Sequence, residues 1–108
     1  MPINTILLNK KDEYGDYPLY LSIRYNNAEI VQLLLEYANQ HQIILELNEK
    51  NKNIKYPLLR AIDNNIKIVK LLIEYANKHQ IILEYDENDI KDRPEIKNLL
   101  QKEIKVNK

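Results

Sequence analysis

Three kinds of side chain in this sequence have the capacity for chemistry. His41 and His79 could bind a metal ion or respond to pH, because imidazole titrates near neutrality. Asp86 and Asp89 could act as a general acid and base. The single serine, Ser22, lies in an apolar stretch and is a poor candidate nucleophile, since a nucleophile needs a base beside it. What these residues can do depends on the elements that position them.

The composition excludes several classes of protein. The chain has 108 residues, with 16 basic and 16 acidic side chains and a formal net charge of zero, which is the size of a single domain. It has no cysteine, which excludes disulfides and thiolate metal sites, and its single glycine cannot form a Gly-rich phosphate loop. No apolar run is long enough to span a membrane, and the N-terminus lacks the basic region and cleavage site of a secretory signal.

An internal repeat organises the chain. Residues 30–47 recur at 68–85 with an offset of 38 and four differences, and the Tyr-Pro-Leu that begins at Tyr17 recurs at Tyr56 with an offset of 39. We therefore predict two full units with weaker copies at both ends. The predicted divisions are a leading half-hairpin at 1–16, repeat 1 at 17–55, repeat 2 at 56–93 and a C-terminal capping helix at 94–108.

The apolar spacing predicts two helices in each full unit. A short helix over about 17–25 has Pro18 at its first position, where the missing N–H costs nothing. A longer helix over 28–40, repeated at 66–78, carries one apolar face with helical periodicity. The β-prone stretches that follow predict extended connectors that end in finger-like loops, and Pro94 opens the final helix.

These elements weaken the case for chemistry. His41 and His79 occupy the same position near the C-terminal end of the longer helix, where a cation suits the helix dipole. Stacked units would hold the two rings about 10 Å apart, too far to share an ion, so we expect structural capping and neither metal nor cofactor. Asp86 and Asp89 lie in a polar loop without the burial that raises a carboxyl pKa, so catalysis is not expected.

The order of helix, tight turn, longer helix and extended finger resembles the ankyrin repeat. Residues 12–35 read DEYGDYPLYLSIRYNNAEIVQLLL and are similar to the pattern D-x-x-G-x-T-P-L-H-L-A-A-x-x-G-H-x-E-I-V-x-L-L-L. The matching positions are Asp12, Gly15, Pro18, Leu19, Leu21, Glu29, Ile30, Val31, Leu33, Leu34 and Leu35, then Pro57, Leu58, Ala61, Ile68, Val69, Leu71 and Leu72. The resemblance covers about residues 11–90 and implies an all-α repeat solenoid of stacked helix-turn-helix units with extended finger loops.

The sequence departs from the family pattern in four ways. Tyr17 and its repeat Tyr56 replace the Thr that would cap the first helix, and Tyr20 and its counterpart Leu59 replace the usual His. Asn26 replaces the Gly between the helices, and Asn is the best substitute in a left-handed turn. Because Ile occupies the second finger where the first has Gly, we predict a different turn there. The period of 38 to 39 residues exceeds the family's 33, which predicts a longer second helix and connector.

In the ankyrin family, partners bind the concave side formed by finger loops and first helices. Carried over position by position, this resemblance implies a protein-binding surface at Lys11, Glu13, Tyr14, Asp16, Arg24, Tyr25, Lys50, Lys52, Asn53, Lys55, Asp63 and Asn64. Tyr14, Arg24 and Tyr25 are of the types that carry most binding energy in interfaces. The alternative is that these tyrosines pack against their own neighbouring helices.

The finger loops alternate in charge. The first carries Asp12, Glu13 and Asp16, the second carries Lys50, Lys52 and Lys55, and the third carries Glu84, Asp86, Glu87 and Asp89. Such bands could select a partner of complementary charge. Alternatively, the charges could keep the protein soluble and attract neighbouring fingers to each other, and each such surface ion pair contributes little to stability.

The resemblance favours a non-catalytic protein–protein interaction module that binds an unidentified protein partner, within the cell in the cytoplasm or nucleus. The alternative is a structural spacer or a self-assembling segment of a longer array, with edge-to-edge association through the apolar TILL at residues 5–8. Nucleic-acid binding through Lys50, Lys52 and Lys55 is disfavoured by the zero net charge and the three arginines. No membrane partner is expected, and no set of residues supports an enzyme.

Overall fold

The computed structural model describes the backbone of residues 8–106 and the side chains of residues 8–63 and 65–101. Over this part of the chain it is an all-α repeat solenoid, with helices joined by extended segments and no assigned strand, as predicted. The helices are α1 (Pro18–Arg24), α2 (Ala28–Gln40), α3 (Pro57–Asn64), α4 (Ile66–His79), α5 (Glu87–Ile90) and α6 (Pro94–Val106). They fall within the units predicted from the repeat, whose exact divisions stay a prediction.

The short first helices begin without the usual side-chain cap. Tyr17 and Tyr56 are extended at the N-cap position, and neither makes a side-chain cap hydrogen bond within the described residues. Pro follows each tyrosine. Because Pro has no backbone N–H, the first turn has one fewer N–H that would need a hydrogen-bond acceptor. The longer helices are capped conventionally: the side-chain oxygen of Asn27 accepts from the N–H of Ile30 at 3.1 Å, and Asn65 caps the equivalent helix.

The turn between the helices tolerates a one-residue deletion. In the first unit Asn26 adopts the predicted left-handed conformation, with φ 56°. In the second unit the two helix starts are one residue closer in the chain, and only Asn65 separates the helices; it is extended, with φ −163°. The side chain of Asn65 donates to Asn26 Oδ1 at 3.2 Å, so the two turns remain in contact despite the deletion.

The two finger turns have the same backbone, and the prediction that they differ was wrong. Gly15 (φ 79°) and Ile54 (φ 61°) are both left-handed. In each turn the first residue donates its N–H to the carbonyl of the fifth at 2.8 Å, and the fourth donates to the first at 3.0 Å. Asp12 Oδ1 accepts two backbone N–H groups inside the first turn, at 2.8 and 3.0 Å. Asn51 Oδ1 does the same in the second, at 2.9 Å each, which holds Ile54 in its unfavourable region.

The solenoid core forms where the two helix pairs stack. The helix α1 packs on α3 and α2 on α4, while α6 covers the far side of α4. Both pairs contribute fully buried aliphatic side chains, among them Leu19, Ile23, Val31, Leu58, Ile62, Ile68 and Leu72. Because the core draws on both pairs, neither pair forms it alone.

Asparagine side chains join successive connectors, a feature that the sequence analysis missed. The side-chain amide of Asn9 donates to the carbonyl of Ile44 and accepts from the backbone N–H of Glu46, both at 3.0 Å. Asn48 makes the same two bonds to the next connector, donating to Ile82, both at 2.9 Å. These side chains pair the extended connectors as a neighbouring strand would. The repeated Leu-Asn at residues 8–9 and 47–48 was the available signal.

The third finger is not a turn of the same kind. Residues that we predicted as a polar loop form the single-turn helix α5, which Asp86 caps by accepting from the N–H of Asn88 at 2.9 Å. Ile90 at its end is buried in the core. The burial of Ile90 favours a helical turn, because the turn directs this side chain into the core. This is a tertiary effect, and the polar residues around Ile90 give no sign of it in the sequence.

Candidate functional site

Among the described residues, those predicted to form the binding surface are exposed, with the exception of Asp16. Tyr14 and Tyr25 are 61% and 72% exposed, so the alternative in which they pack against their own helices does not hold. The other exposed candidates are Lys11, Glu13, Arg24, Lys50, Lys52, Asn53, Lys55 and Asp63. Asp16 is buried. The side chain of Asn64 lies outside the described residues.

Asp16 corrects the sequence-based assignment. Only 3% of this residue is exposed, so its carboxylate cannot present a charge to a partner. Asn51 Nδ2 donates to Asp16 Oδ1 at 2.8 Å, and Arg24 lies 3.8 Å from Oδ2. Asp16 therefore joins the first finger to the second and orients the Arg24 guanidinium, which is half exposed.

The first and second fingers and their helices enclose an open cleft of about 510 Å³. Five of its eight lining residues, Asp16 among them, belong to the predicted surface, and three were missed in the sequence. The lining residues are Tyr14, Asp16, Tyr20, Arg24, Asn51, Asn53, Lys55 and Arg60. Arg60 could have been found from the repeat, because the first unit has Leu21 in its place. We call this cleft the cationic cleft, since it holds three basic side chains and one acidic side chain.

A second cleft, of about 620 Å³, lies between the second finger and the segment around α5. Four of its lining residues are acidic: Glu84, Asp86, Glu87 and Asp89. Lys50 also lines it, with Nζ 5.8 Å from the centre of the Tyr56 ring. We call it the acidic cleft, and the two clefts together place opposite charges side by side.

Some of the charges on the fingers neutralise each other. Lys11 Nζ pairs with the Glu49 carboxylate across the first two connectors. Both side chains are partly exposed, so this pair contributes little stability. The pair supports attraction between neighbours for Lys11, whereas Lys55 of the cationic cleft and Lys50, Glu84, Asp86 and Glu87 of the acidic cleft are exposed.

Buried tyrosines below this surface connect the first helices to the segments that follow each helix pair. Tyr17 donates its O–H to the carbonyl of Glu49 at 3.0 Å, and Tyr56 donates to Asp89 Oδ2 at 3.2 Å. Burial raises the pKa of Tyr17, Tyr20 and Tyr75. For Tyr56, burial and the bond to Asp89 raise the pKa to about 12. The tyrosines that replace Thr thus lack a helix cap and instead bond to the segment that follows their own helix pair.

The two histidines have structural partners. His41 and His79 lie against the tyrosine one turn earlier, Tyr37 and Tyr75, with ring centroids 4.1 and 4.3 Å apart. The His79 Nε2 atom is 2.7 Å from Asn39 Oδ1 of the preceding unit. Within the described part of the chain, no three His, Cys, Asp or Glu side chains group as a metal site requires.

Comparison with family models identifies the class of protein. A model described as "Ankyrin repeats (3 copies)" matches residues 3–83, so the chain belongs to the ankyrin repeat family. Ankyrin repeats generally act as protein–protein interaction modules. Comparison with curated proteins and with solved structures found no significant match. Among the described residues, no helix combines the length and apolarity needed to cross a membrane.

Proposed function

We propose that this chain is a non-catalytic module that binds a protein partner along its fingers and first helices. The observation that carries the proposal is the exposure of Tyr14 and Tyr25, at 61% and 72%, beside the Arg24 guanidinium, which lies 5.8 Å from the Tyr25 ring. Large aromatic side chains and arginine anchor most protein interfaces. An intracellular location, in the cytoplasm or nucleus, is part of the proposal.

Two contacts support the non-catalytic part of the proposal. The Ser22 hydroxyl is buried and donates to the carbonyl of Leu19 at 2.8 Å within its own helix. His79 is engaged by Asn39 of the neighbouring unit. A serine held in this way has no base to activate it, and a histidine held in this way is oriented for structure rather than for proton transfer.

The experiment is affinity capture from the native source, followed by measurement of the captured partner's Kd for purified variants. Tyr14→Ala combined with Tyr25→Ala should raise the Kd by about 30-fold or more, as expected when hot-spot residues are removed. Leu33→Ala combined with Tyr37→Ala, at two exposed positions of α2 away from the fingers, is the matched control and should leave the Kd unchanged. Equal losses for both pairs would contradict a binding surface on the fingers.

A second candidate function is a spacer or self-assembling segment of a longer array. It is favoured by an apolar face on α2, where Ile30, Leu33 and Tyr37 are 42%, 60% and 39% exposed. The residues at the same repeat positions on α4, Ile68 and Tyr75, are 0% and 3% exposed because the first helix pair covers them. The α2 face therefore has the shape and composition to receive a further helix pair.

Sedimentation velocity separates the two candidates. Association of the chain that Leu33→Asp abolishes would support self-assembly through the α2 face. A monomer at all concentrations would argue against self-assembly and leave the finger surface as the functional one. The sequence-based expectation of association through TILL concerns residues 5–7, which lie outside the described residues, and Leu8, which packs against the core.

A further inference from the structure

We propose that the cationic cleft binds a carboxylate side chain from a short acidic segment of the partner. The inference rests on the proposed protein-binding function and specifies the chemistry of the partner. Three positive charges converge there, from Arg24 on α1, Lys55 on the second finger and Arg60 on α3. Two of the chain's three arginines are thus brought to one cleft, and the guanidinium is the cation best suited to pair with carboxylate.

The charge of the cleft is not cancelled from within. The one carboxylate among its lining residues, Asp16, is buried, and it is bonded to Asn51 at 2.8 Å. The Oδ2 atom of Asp16 lies 3.8 Å from Arg24 Nη1, and the side chain of Arg24 remains half exposed. Three cations against one engaged anion leave a net positive charge open to an incoming acidic side chain.

Arg60 supplies an observation that points to a ligand. Its Nε atom is buried and has no hydrogen-bond partner among the described residues. A buried N–H without an acceptor is unfavourable, because it has lost its hydrogen bond to water and gained none in exchange. A carboxylate placed in the cleft would provide the missing acceptor, with a charge opposite to that of the guanidinium.

The repeat shows that stacking does not require these arginines. At the position of Arg60 the first unit has Leu21, and at the position of Arg24 the second unit has Asp63. The same helix therefore forms with an aliphatic or an acidic residue in these places. Arg24 of the first unit and Arg60 of the second both line the cleft. Each arginine occurs in only one unit, at a position where the other unit has a different residue.

The neighbouring acidic cleft limits what can bind. Successive units are about 10 Å apart, a distance that an extended peptide covers in about three residues. A longer polyanion, such as a nucleic acid, would bring its next charges against Glu84, Asp86 and Glu87. Charge complementarity thus favours a short acidic peptide over nucleic acid.

The test is a nuclear magnetic resonance titration of the ¹⁵N-labelled chain, which shows arginine Nε–H signals directly. The probe is an eight-residue peptide with two central Glu residues, and its control is the same peptide with Gln. The Glu peptide should shift the Nε–H signals of Arg60 and Arg24 and leave that of Arg93, outside the cleft, in place. Arg60→Leu, which installs the residue of the first unit, should weaken binding about tenfold, as loss of one charge-assisted hydrogen bond predicts. Arg93→Leu should have no effect.

Several outcomes would overturn the inference. These are equal shifts with the Gln peptide, no shift at Arg60 with the Glu peptide, or a larger response to a single-stranded oligonucleotide. Circular dichroism of Arg60→Leu shows whether the variant is folded. If it is not, Arg24→Asp, which installs the residue of the second unit, provides the same comparison. If the Glu peptide does not shift the arginine signals while binding of the captured partner still depends on Tyr14 and Tyr25, the inference of an acidic segment is refuted and the proposed protein-binding function is retained.

Discussion

The helices α2 and α4 carry nearly the same residues in opposite surroundings. Over residues 30–41 and 68–79 they differ at three positions. Yet Tyr75 is 3% exposed and bonded to the preceding connector, while its counterpart Tyr37 is 39% exposed. The difference arises because the first helix pair covers α4 and no described pair covers α2. In a solenoid, the neighbour rather than the helix decides which residues form the core.

The finger turns show the opposite case, in which different residues adopt the same structure. Their sequences, DEYGD and NKNIK, share no residue, yet their backbones and hydrogen bonds coincide. Asp12 and Asn51 offer the same side-chain oxygen at the same place. One acceptor is thus enough to define the turn, and contacts between the fingers hold it even with Ile at the left-handed position.

The largest expected effect tests the burial difference between the helices. Ile68→Ala should lower the free energy of unfolding by about 3 kcal/mol, because Ile68 is 0% exposed and its loss leaves a cavity. Ile30→Ala, at the same repeat position but 42% exposed, should cost about 0.5 kcal/mol. Urea denaturation measures both values. Equal costs would mean that α2 is covered as α4 is.

A smaller effect concerns the hydrogen bonds of the two tyrosines. Tyr75 donates to the carbonyl of Ile43 at 3.1 Å and accepts from the N–H of Leu45 at 3.2 Å. Tyr75→Phe leaves both buried groups without this partner and should cost about 2 kcal/mol. Tyr37→Phe should be close to neutral. Thermal denaturation of the two variants compares them, and a neutral Tyr75→Phe would refute the role assigned to the phenol.

The finger turns should respond asymmetrically to substitution. Gly15→Ala should cost about 1.5 kcal/mol because of its left-handed backbone, and the new Cβ would lie 3.1 Å from Asn51 Cα and Lys52 N. Ile54→Gly should stabilise by about 0.5 kcal/mol, since relief of strain outweighs the added chain entropy. Chemical denaturation measures both changes. A destabilising Ile54→Gly would show that contacts of the isoleucine side chain, rather than strain, dominate there.

The mildest test uses alkaline pH on Tyr56, which bonds to Asp89 after its own helix pair. Burial raises the pKa of Tyr56 from its ordinary value of 10.0 to about 12, so the folded state retains this proton more strongly than the unfolded state. The stability linked to Tyr56 is therefore fully present below pH 10 and is lost as pH rises through about 12. Unfolding followed from pH 8 to 12 should show this loss, and Tyr56→Phe should flatten it. An unchanged pH profile in that variant would contradict the linkage.

Much of the fold could be predicted from the sequence because it depends on local patterns. Pro18 and Pro57 mark the starts of the first helices, the apolar spacing marks the second helices, and Asn26 marks the turn. The prediction failed in two places. Ile54 was assigned a different turn because Asn51, which supplies the same side-chain acceptor as Asp12, was overlooked. The residues of α5 were assigned a loop because the burial of Ile90 depends on parts of the fold that are distant in the chain.

The candidate surface was predictable as a set of positions but not as a geometry. Register with the family places Tyr14, Arg24 and Tyr25 on the fingers and first helix, and their exposure agrees with that placement. The burial of Asp16 was not predictable, because its partner Asn51 lies 35 residues away. Arg60 was missed for the same reason: it joins the cleft only when the two units stack.

The sequence by itself determined the repeat, the approximate bounds of the helices in the two full units and the membership of the ankyrin repeat family, because periodicity and turn residues are local properties. The tertiary structure alone decided which copy of a repeated residue is buried, which charges remain open and where two arginines meet. Those outcomes depend on distances between units, and identical residues such as Tyr37 and Tyr75 give no local sign of them.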